Sequence, residues 1–227
     1  MQGKIVLDLG CGACGGCWIL AQEASRVVGV DIAAEAIDYC AKNWPKDNIS
    51  YLTADALTLP FSDKYFDTVV SFEVIEHIDA YQKYLTEVNR VLRPDGVFIL
   101  STPNRTIVSP NGTLSNLSHV REFNAKEFKD ILLSQFSRVT IYGQRPADSV
   151  LQAEKLLKQA YEASNKMPNL FKHILSKGVK KKALDIYLYC ISKIKKMPMP
   201  DQINDEDYIF NKNETKAARY LLAICGK

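Results

Sequence analysis

The sequence predicts an α/β fold with a doubly wound, Rossmann-like sheet, and three observations carry that prediction. Short apolar runs alternate strictly with helix-like stretches, as βαβ units require. The runs are apolar throughout instead of every second residue, which marks strands covered on both faces and hence a parallel sheet. The first run, Ile5-Val6-Leu7-Asp8-Leu9, passes directly into a glycine turn spaced Gly10-x-Gly12-x-x-Gly15. With 227 residues and 47% hydrophobic content, the chain has ample material for the core of one domain, residues 1–227.

The elements follow in order. Residues 4–9 form the first strand, and residues 15–24 form a helix on the spacing of Trp18, Ile19 and Ala21. Arg26–Asp31 is the second strand, and Ala33–Asn43 is a helix stopped ahead of Pro45. Ile49–Thr53 is a third strand, and Phe66–Phe72 a fourth, entered from the Ser62-Asp63-Lys64 turn. An amphipathic helix spans residues 80–92, Pro94-Asp95-Gly96 reads as a turn, and Val97–Thr102 is the fifth strand. A helix over 125–133 and a strand over 138–143 continue the pattern, which lapses until residues 216–225 resume an apolar run, the seventh strand.

Residues 144–215 interrupt the alternation. Two helical stretches are expected there, 149–166 and 179–195, the second with Leu184, Tyr187, Leu188, Ile191 and Ile194 on one face. Lys177, Lys180, Lys181, Lys182, Lys193, Lys195 and Lys196 crowd the same region. The simpler expectation is a helical insertion covering the sheet edge with its lysines in solvent. The alternative is a lid over an acceptor site, its lysines drawing in an anionic acceptor or touching a membrane surface.

Charge narrows the ligand of the glycine turn. A pyrophosphate bound at a helix N-terminus would lie near the uncompensated carboxylate of Asp8, whereas a cationic ligand would be favoured there. S-adenosylmethionine carries a sulfonium, an ammonium and ribose hydroxyls, so the pair Asp8 and Asp31 suits it better than a nicotinamide nucleotide. Cys11, Cys14 and Cys17 are evenly spaced like cluster ligands, but the next cysteine is Cys40, so they read as small fillers of a tight turn.

Five segments in order resemble the class I S-adenosylmethionine-dependent methyltransferases of small-molecule type: VLDLGCG at 6–12, VVGVD at 27–31, ADALTLPF at 54–61, FDTVVSFEVIEHI at 66–78 and LRPDGVFILSTPN at 92–104. The resemblance implies seven strands with the last antiparallel and the helical insertion placed before it. It implies that Gly10, Cys11 and Gly12 cradle the methionine end of the cofactor, with Asp8 acting on its ammonium through water. Asp31 would accept from the ribose hydroxyls, Ile32 would pack on the adenine, and Asp55 with the Ala56 amide would meet its edge. Phe72 would line the methyl-bearing side. Members usually carry helices ahead of the first strand, so either the start is truncated or the insertion supplies the cover.

The acceptor side falls to loops after the fourth and fifth strands. Glu73, Glu76 and His77, spaced i, i+3 and i+4, would share a face if the segment were helical, and His119 follows the fifth strand. This arrangement resembles the ubiquinone-pathway O-methyltransferases, with the same EVIEHI segment, and the small-RNA 2′-O-methyltransferases. In both, such residues hold a divalent ion that binds acceptor hydroxyls. Three readings stay open: His77 or His119 acting without metal as base or orienting group, with Glu73 beside them; a metal at Glu73, Glu76, His77 and His119, the less favoured; or a helix start satisfied by backbone.

The expected activity is transfer of a methyl group, by preference to oxygen, on a small-molecule, sugar or lipid-linked acceptor. The rival expectations are a module that binds S-adenosylmethionine without turning it over, and an NAD-dependent oxidoreductase, which Asp8 disfavours. A net charge of +3 and late lysines without arginine partners speak against nucleic acid. No apolar run approaches the roughly 20 residues of a membrane span, and a cytoplasmic location is expected. Oligomeric state is left open.

Overall fold

The computed structural model describes residues 3–146, 208–212, 215–216 and 218–227. Most of the predicted insertion, including both of its helices and every lysine named there, lies outside the described residues. The elements are β1 (Ile5–Leu9), α1 (Gly15–Leu20), β2 (Arg26–Asp31), α2 (Ala34–Asn43), β3 (Ile49–Thr53), β4 (Phe66–Phe72), α3 (Tyr81–Val91), β5 (Leu92–Pro103), α4 (Arg105–Val108), α5 (Ala125–Leu133), β6 (Arg138–Pro146), β7 (Tyr208–Asn211) and β8 (Tyr220–Gly226). Among the described residues no helix is long and apolar enough to cross a membrane.

One mixed sheet runs in the order β3-β2-β1-β4-β5-β8-β6-β7. Strands β1 to β5 pair in parallel, and β8 runs antiparallel to both β5 and β6. The seven strands and the reversed last strand are those expected; Tyr208–Asn211, inside the expected insertion but outside its two expected helices, adds an eighth. Strand order reverses at β1 and β4, so the crevice at their carboxyl ends is where an open α/β sheet receives a ligand. Alternate residues of β1 feed different cores: Leu7 and Leu9 join Val88, Phe98 and Phe128, while Val6 joins Cys17, Val27 and Ile37.

Two local expectations are corrected. The first helix ends at Leu20, short of residue 24, because the last turn tightens: the amides of Gln22 and Glu23 donate to the carbonyls of Ile19 and Leu20, three residues back. Asn48 Nδ2 donates to the carbonyls of Ala21 and Ala24, and Lys46 Nζ donates to that of Ala21. The Pro94-Asp95-Gly96 turn exists only as a distortion within β5. Phe66 pairs with Leu92 and Thr68 with Val97, so residues 93–96 bulge opposite Asp67. Arg93 Nη1 donates to Asp67 Oδ1 at 2.7 Å and fixes that bulge.

Candidate active site

The crevice holds two cavities with a shared wall. The first, about 590 Å3, is lined by Leu9, Gly10, Val30, Asp31, Ile32, Ala54, Asp55, Ala56, Leu57, Glu73, Val74, His77, Ile78, Asp79 and Ala80. The second, about 710 Å3, is lined by Glu73, Glu76, His77, Pro103, Ile107, Val108, Ser115, Asn116, His119, Arg219 and Tyr220. Both volumes suit a drug-sized ligand. Glu73 and His77 belong to both walls.

The first cavity is shaped by backbone. Gly10 has φ +77°, and a Cβ there would stand 2.3 Å from Val74 Cγ2, so this position excludes any side chain. Gly10 and Cys11 each donate an amide to the Val30 carbonyl, which ties the turn to β2. Asp31 extends that tie: Oδ2 accepts from Gly12 N at 2.9 Å and Oδ1 from Ala33 N at 2.9 Å. Each oxygen keeps a lone pair for a further donor. Asp55 Oδ1 accepts from Leu57 N at 2.8 Å in a local turn, with Ala56 between them in the cavity wall. Ile32 lines the cavity while 73% exposed, an apolar surface that a planar ring would cover.

Of the cofactor residues expected from sequence, Gly10, Asp31, Ile32, Asp55 and Ala56 line this cavity, whereas Asp8, Cys11, Gly12 and Phe72 do not. Asp8 is buried behind the turn, where its Oδ2 accepts from Cys17 Sγ at 3.1 Å and burial raises its pKa. Val74, Leu57 and Ile78 are lining residues that sequence reasoning missed. No periodic signal distinguishes them from core.

In the second cavity the expected helical face of Glu73, Glu76 and His77 does not form. Glu73 takes the left-handed region at φ +56°, and only Ile75–His77 makes a single 3-10 turn. Glu76, His77 and His119 offer ligand atoms within 4.8 Å of one another, a group to which Glu73 does not belong. The Glu73 carboxylate instead accepts from Ser101 Oγ at 2.6 Å, and burial raises its pKa. Glu76 is fully buried; its Oε2 accepts from Thr102 Oγ1 at 3.1 Å, while Oε1 has no partner. Burial, followed by repulsion from Glu73, pushes its pKa up to about 8.

Both imidazoles are oriented from behind. His77 Nδ1 lies 3.0 Å from the Ser118 carbonyl, which can only accept, so Nδ1 carries the proton and Nε2 a lone pair in the neutral ring. His119 Nδ1 lies 2.7 Å from Glu122 Oε1. Burial would raise the Glu122 carboxyl, but hydrogen bonds from Ser109, Ser115 and His119 outweigh it and hold the group down to about 2. The acceptor facing His119 is therefore ionised, and the same tautomer results. Glu122 was legible only as the i+3 neighbour of His119, a spacing that says nothing of burial.

Comparisons with known proteins bear on the family and the fold. Residues 7–100 match the family model described as a methyltransferase domain. A probable S-adenosylmethionine-dependent methyltransferase of Mycolicibacterium smegmatis is 39% identical over 131 residues, 57% of this chain and 50% of that protein. A fatty-acid O-methyltransferase of the same organism is 37% identical over 101 residues, covering 44% of this chain and 37% of that protein. The chain thus spans at most about half the length of these two relatives. A solved S-adenosylmethionine-dependent methyltransferase of Thermotoga maritima, described as a possible histamine N-methyltransferase, shares the fold with a TM-score of 0.62. It is 13% identical, over 100% of this chain and 84% of that one.

Proposed function

Through residues 7–100 the chain belongs to the class I S-adenosylmethionine-dependent methyltransferases, and from that premise we propose that it methylates an oxygen of a small-molecule, sugar or lipid-linked acceptor in the cytoplasm. One observation carries this reading: Glu73 and His77 line both cavities, so a donor in the first and an acceptor in the second would meet across the same two side chains. The similarity to a fatty-acid O-methyltransferase supports the lipid-linked option. So do the exposed side chains of Leu114 and Leu117, in the segment that supplies Ser115 and Asn116 to the acceptor cavity.

Bound S-adenosylmethionine supplies a methyl group on a positively charged sulfur, open to in-line displacement by a nucleophile about 3–3.5 Å away. Gly10 would admit its methionine end close to backbone, Asp31 would accept from the ribose hydroxyls, Ile32 would cover the adenine, and Asp55 and Ala56 would meet the adenine edge. Asp8 acts from behind the turn, on the ammonium through water or on the turn itself. Cys11, Gly12 and Phe72, which do not line the first cavity, would touch the cofactor only at its margin. His77, fixed by Ser118, takes the acceptor hydroxyl proton on Nε2 as the oxygen attacks, and His119, fixed by Glu122, orients the acceptor. Glu73 holds its strained position through Ser101 at the junction.

Incubation with the donor and a panel of hydroxylated and carboxylated acceptors tests this reading. Formation of S-adenosylhomocysteine together with a methylated acceptor supports it. Tight S-adenosylhomocysteine binding without turnover of any acceptor points to a sensing module instead, and tight nicotinamide nucleotide binding alone defeats the premise.

A second reading, metal assistance, is favoured by one specific feature. Glu76 Oε1 is buried without a partner beside two histidines whose Nδ1 atoms are tied to a carbonyl and a carboxylate, the outer support that metal-binding imidazoles use. Glu76, His77 and His119 would hold Mn2+, Fe2+ or Zn2+ better than Mg2+, and such an ion would lower the pKa of an acceptor hydroxyl. Glu73, turned to Ser101, would need to reorient to join them. Undiminished turnover in chelator removes this reading and leaves the first intact.

A further inference from the structure

Four of the chain's six cysteines meet behind the glycine turn. The Sγ atoms of Cys11, Cys14 and Cys17 all lie within 4.8 Å of one another, and Cys14 is disulfide-bonded to Cys40, 26 residues on. Cys14 Sγ is 3.5 Å from Cys11 Sγ. All four side chains are buried. They come from three elements: the turn, α1 and α2.

We propose that in the reduced chain Cys11, Cys14, Cys17 and Cys40 form a tetrathiolate site for one zinc-like divalent cation. Reduction of the Cys14–Cys40 bond by a dithiol breaks one S–S bond and yields two thiols, the dithiol closing to its own disulfide. Uptake of the cation then releases the thiol protons to solvent. In a tetrahedral zinc–sulfur site with bonds of about 2.3 Å the sulfurs stand roughly 3.8 Å apart. The 3.5 Å between Cys11 and Cys14 is close to that spacing already, Cys17 lies within 4.8 Å of both, and on reduction the Cys14 and Cys40 sulfurs must move apart from bonding distance to reach it. Space for them is built into the sheet: a Cβ at Gly29 would lie 2.7 Å from Cys17 Sγ and 3.2 Å from Cys11 Sγ, so only glycine there leaves the sulfurs in place.

Packing alone is the competing account, since cysteine serves as a small apolar filler. It does not explain why the Cys17 thiol is aimed at the Asp8 carboxylate, a polar contact within an otherwise apolar cluster. Nor does it need three sulfurs within 4.8 Å of one another and a fourth bonded to one of them, drawn from three elements. The separation between Cys17 and Cys40 hides this grouping in the sequence, and the return of α2 across β2 creates it.

The test is cobalt uptake by the full chain, stripped of metal and reduced anaerobically with a trialkylphosphine, which is oxidised to its oxide with water as the oxygen source. The expected result is one equivalent of Co2+ with the intense visible bands of tetrahedral thiolate-bound cobalt, displaced by Zn2+. Cys17→Ser and Cys40→Ser should each weaken uptake about tenfold or more. Cys225→Ser, on β8 in the other core cluster, should leave it unchanged, as should His119→Ala. Alkylation with mass spectrometry counts the free thiols, and circular dichroism checks each fold. Should the reduced, folded chain lack thiolate bands, or should they persist in Cys17→Ser and Cys40→Ser, the proposal is overturned. Cobalt with an oxygen and nitrogen ligand spectrum that is lost in His119→Ala overturns it equally, placing the cation at the histidines.

Discussion

His77 and His119 stand edge to face with ring centroids 4.9 Å apart, each held at Nδ1 by a different acceptor. The two rings come from loops after different strands, yet both turn Nε2 away from the groups that hold them. Replacing either by alanine should lower kcat by roughly 10²-fold or more, in the range of a lost general base or orienting group. The double variant should lose less than the product of the two. S-adenosylhomocysteine affinity, measured by calorimetry, should change less than twofold for His119→Ala, which touches only the acceptor cavity.

Glu122 fixes the His119 tautomer. Glu122→Gln keeps the shape but can present an amide donor to Nδ1, so kcat should fall about 10–100-fold while the donor KM holds. Glu122→Ala leaves Ser109, Ser115 and His119 without their buried acceptor and should cost on the order of 2 kcal/mol in urea unfolding. The folded pKa of Glu122 is depressed to about 2, so its contribution is complete above the unfolded value of 4.5 and disappears as pH falls towards 2. Wild type and Glu122→Gln should therefore converge in stability under acid.

Glu76 works in the opposite direction. Its folded pKa is raised to about 8, so between 4.5 and 8 the folded state binds more protons than the unfolded one. Stability should fall as pH rises through that window, and Glu76→Gln should flatten the slope. Thermal melting from pH 5 to pH 8.5 checks it; an equal slope in both proteins would refute the assignment.

Gly10→Ala should destabilise the chain by roughly 1–3 kcal/mol, because alanine must adopt φ +77° and its methyl meets Val74. Adding Val74→Ala should relieve the contact but not the backbone strain, recovering part of the loss. S-adenosylhomocysteine binding should weaken in the single variant more than in the double.

Asp31→Ala removes the acceptor that ties Gly12 and Ala33 as well as the expected ribose contact. Asp31→Asn retains one acceptor oxygen. Both should weaken S-adenosylhomocysteine binding, the alanine variant by about tenfold or more, as befits loss of charge-assisted hydrogen bonds.

Strands Arg26–Asp31 and Phe66–Phe72 stand where their apolar runs place them, since burial on both faces leaves a continuous run legible within a few residues. Ile49–Thr53, at the sheet edge with no residue fully buried, also stands where expected. The place of Gly10, Asp31 and Asp55 in the wall of the first cavity was legible for a similarly local reason: each lies at or just beyond the carboxyl end of a strand, where short-range geometry fixes the turn into the next segment. The Leu92–Pro103 bulge was misread because its cause, Asp67, sits on a neighbouring strand. Glu73 was misplaced because a left-handed residue that is not glycine leaves no compositional mark.

The amino-acid sequence by itself determined the alternation of strands and helices, the glycine turn and its flanking acids, because each depends on residues a few positions apart. Only the tertiary structure decided which side chains share a cavity, that Glu122 ionises behind His119, that Glu73 turns to Ser101, and that Cys40 reaches Cys14. Those relations join residues from separate loops and helices, and they are set by how strands order in the sheet and how the connecting segments pack back upon it.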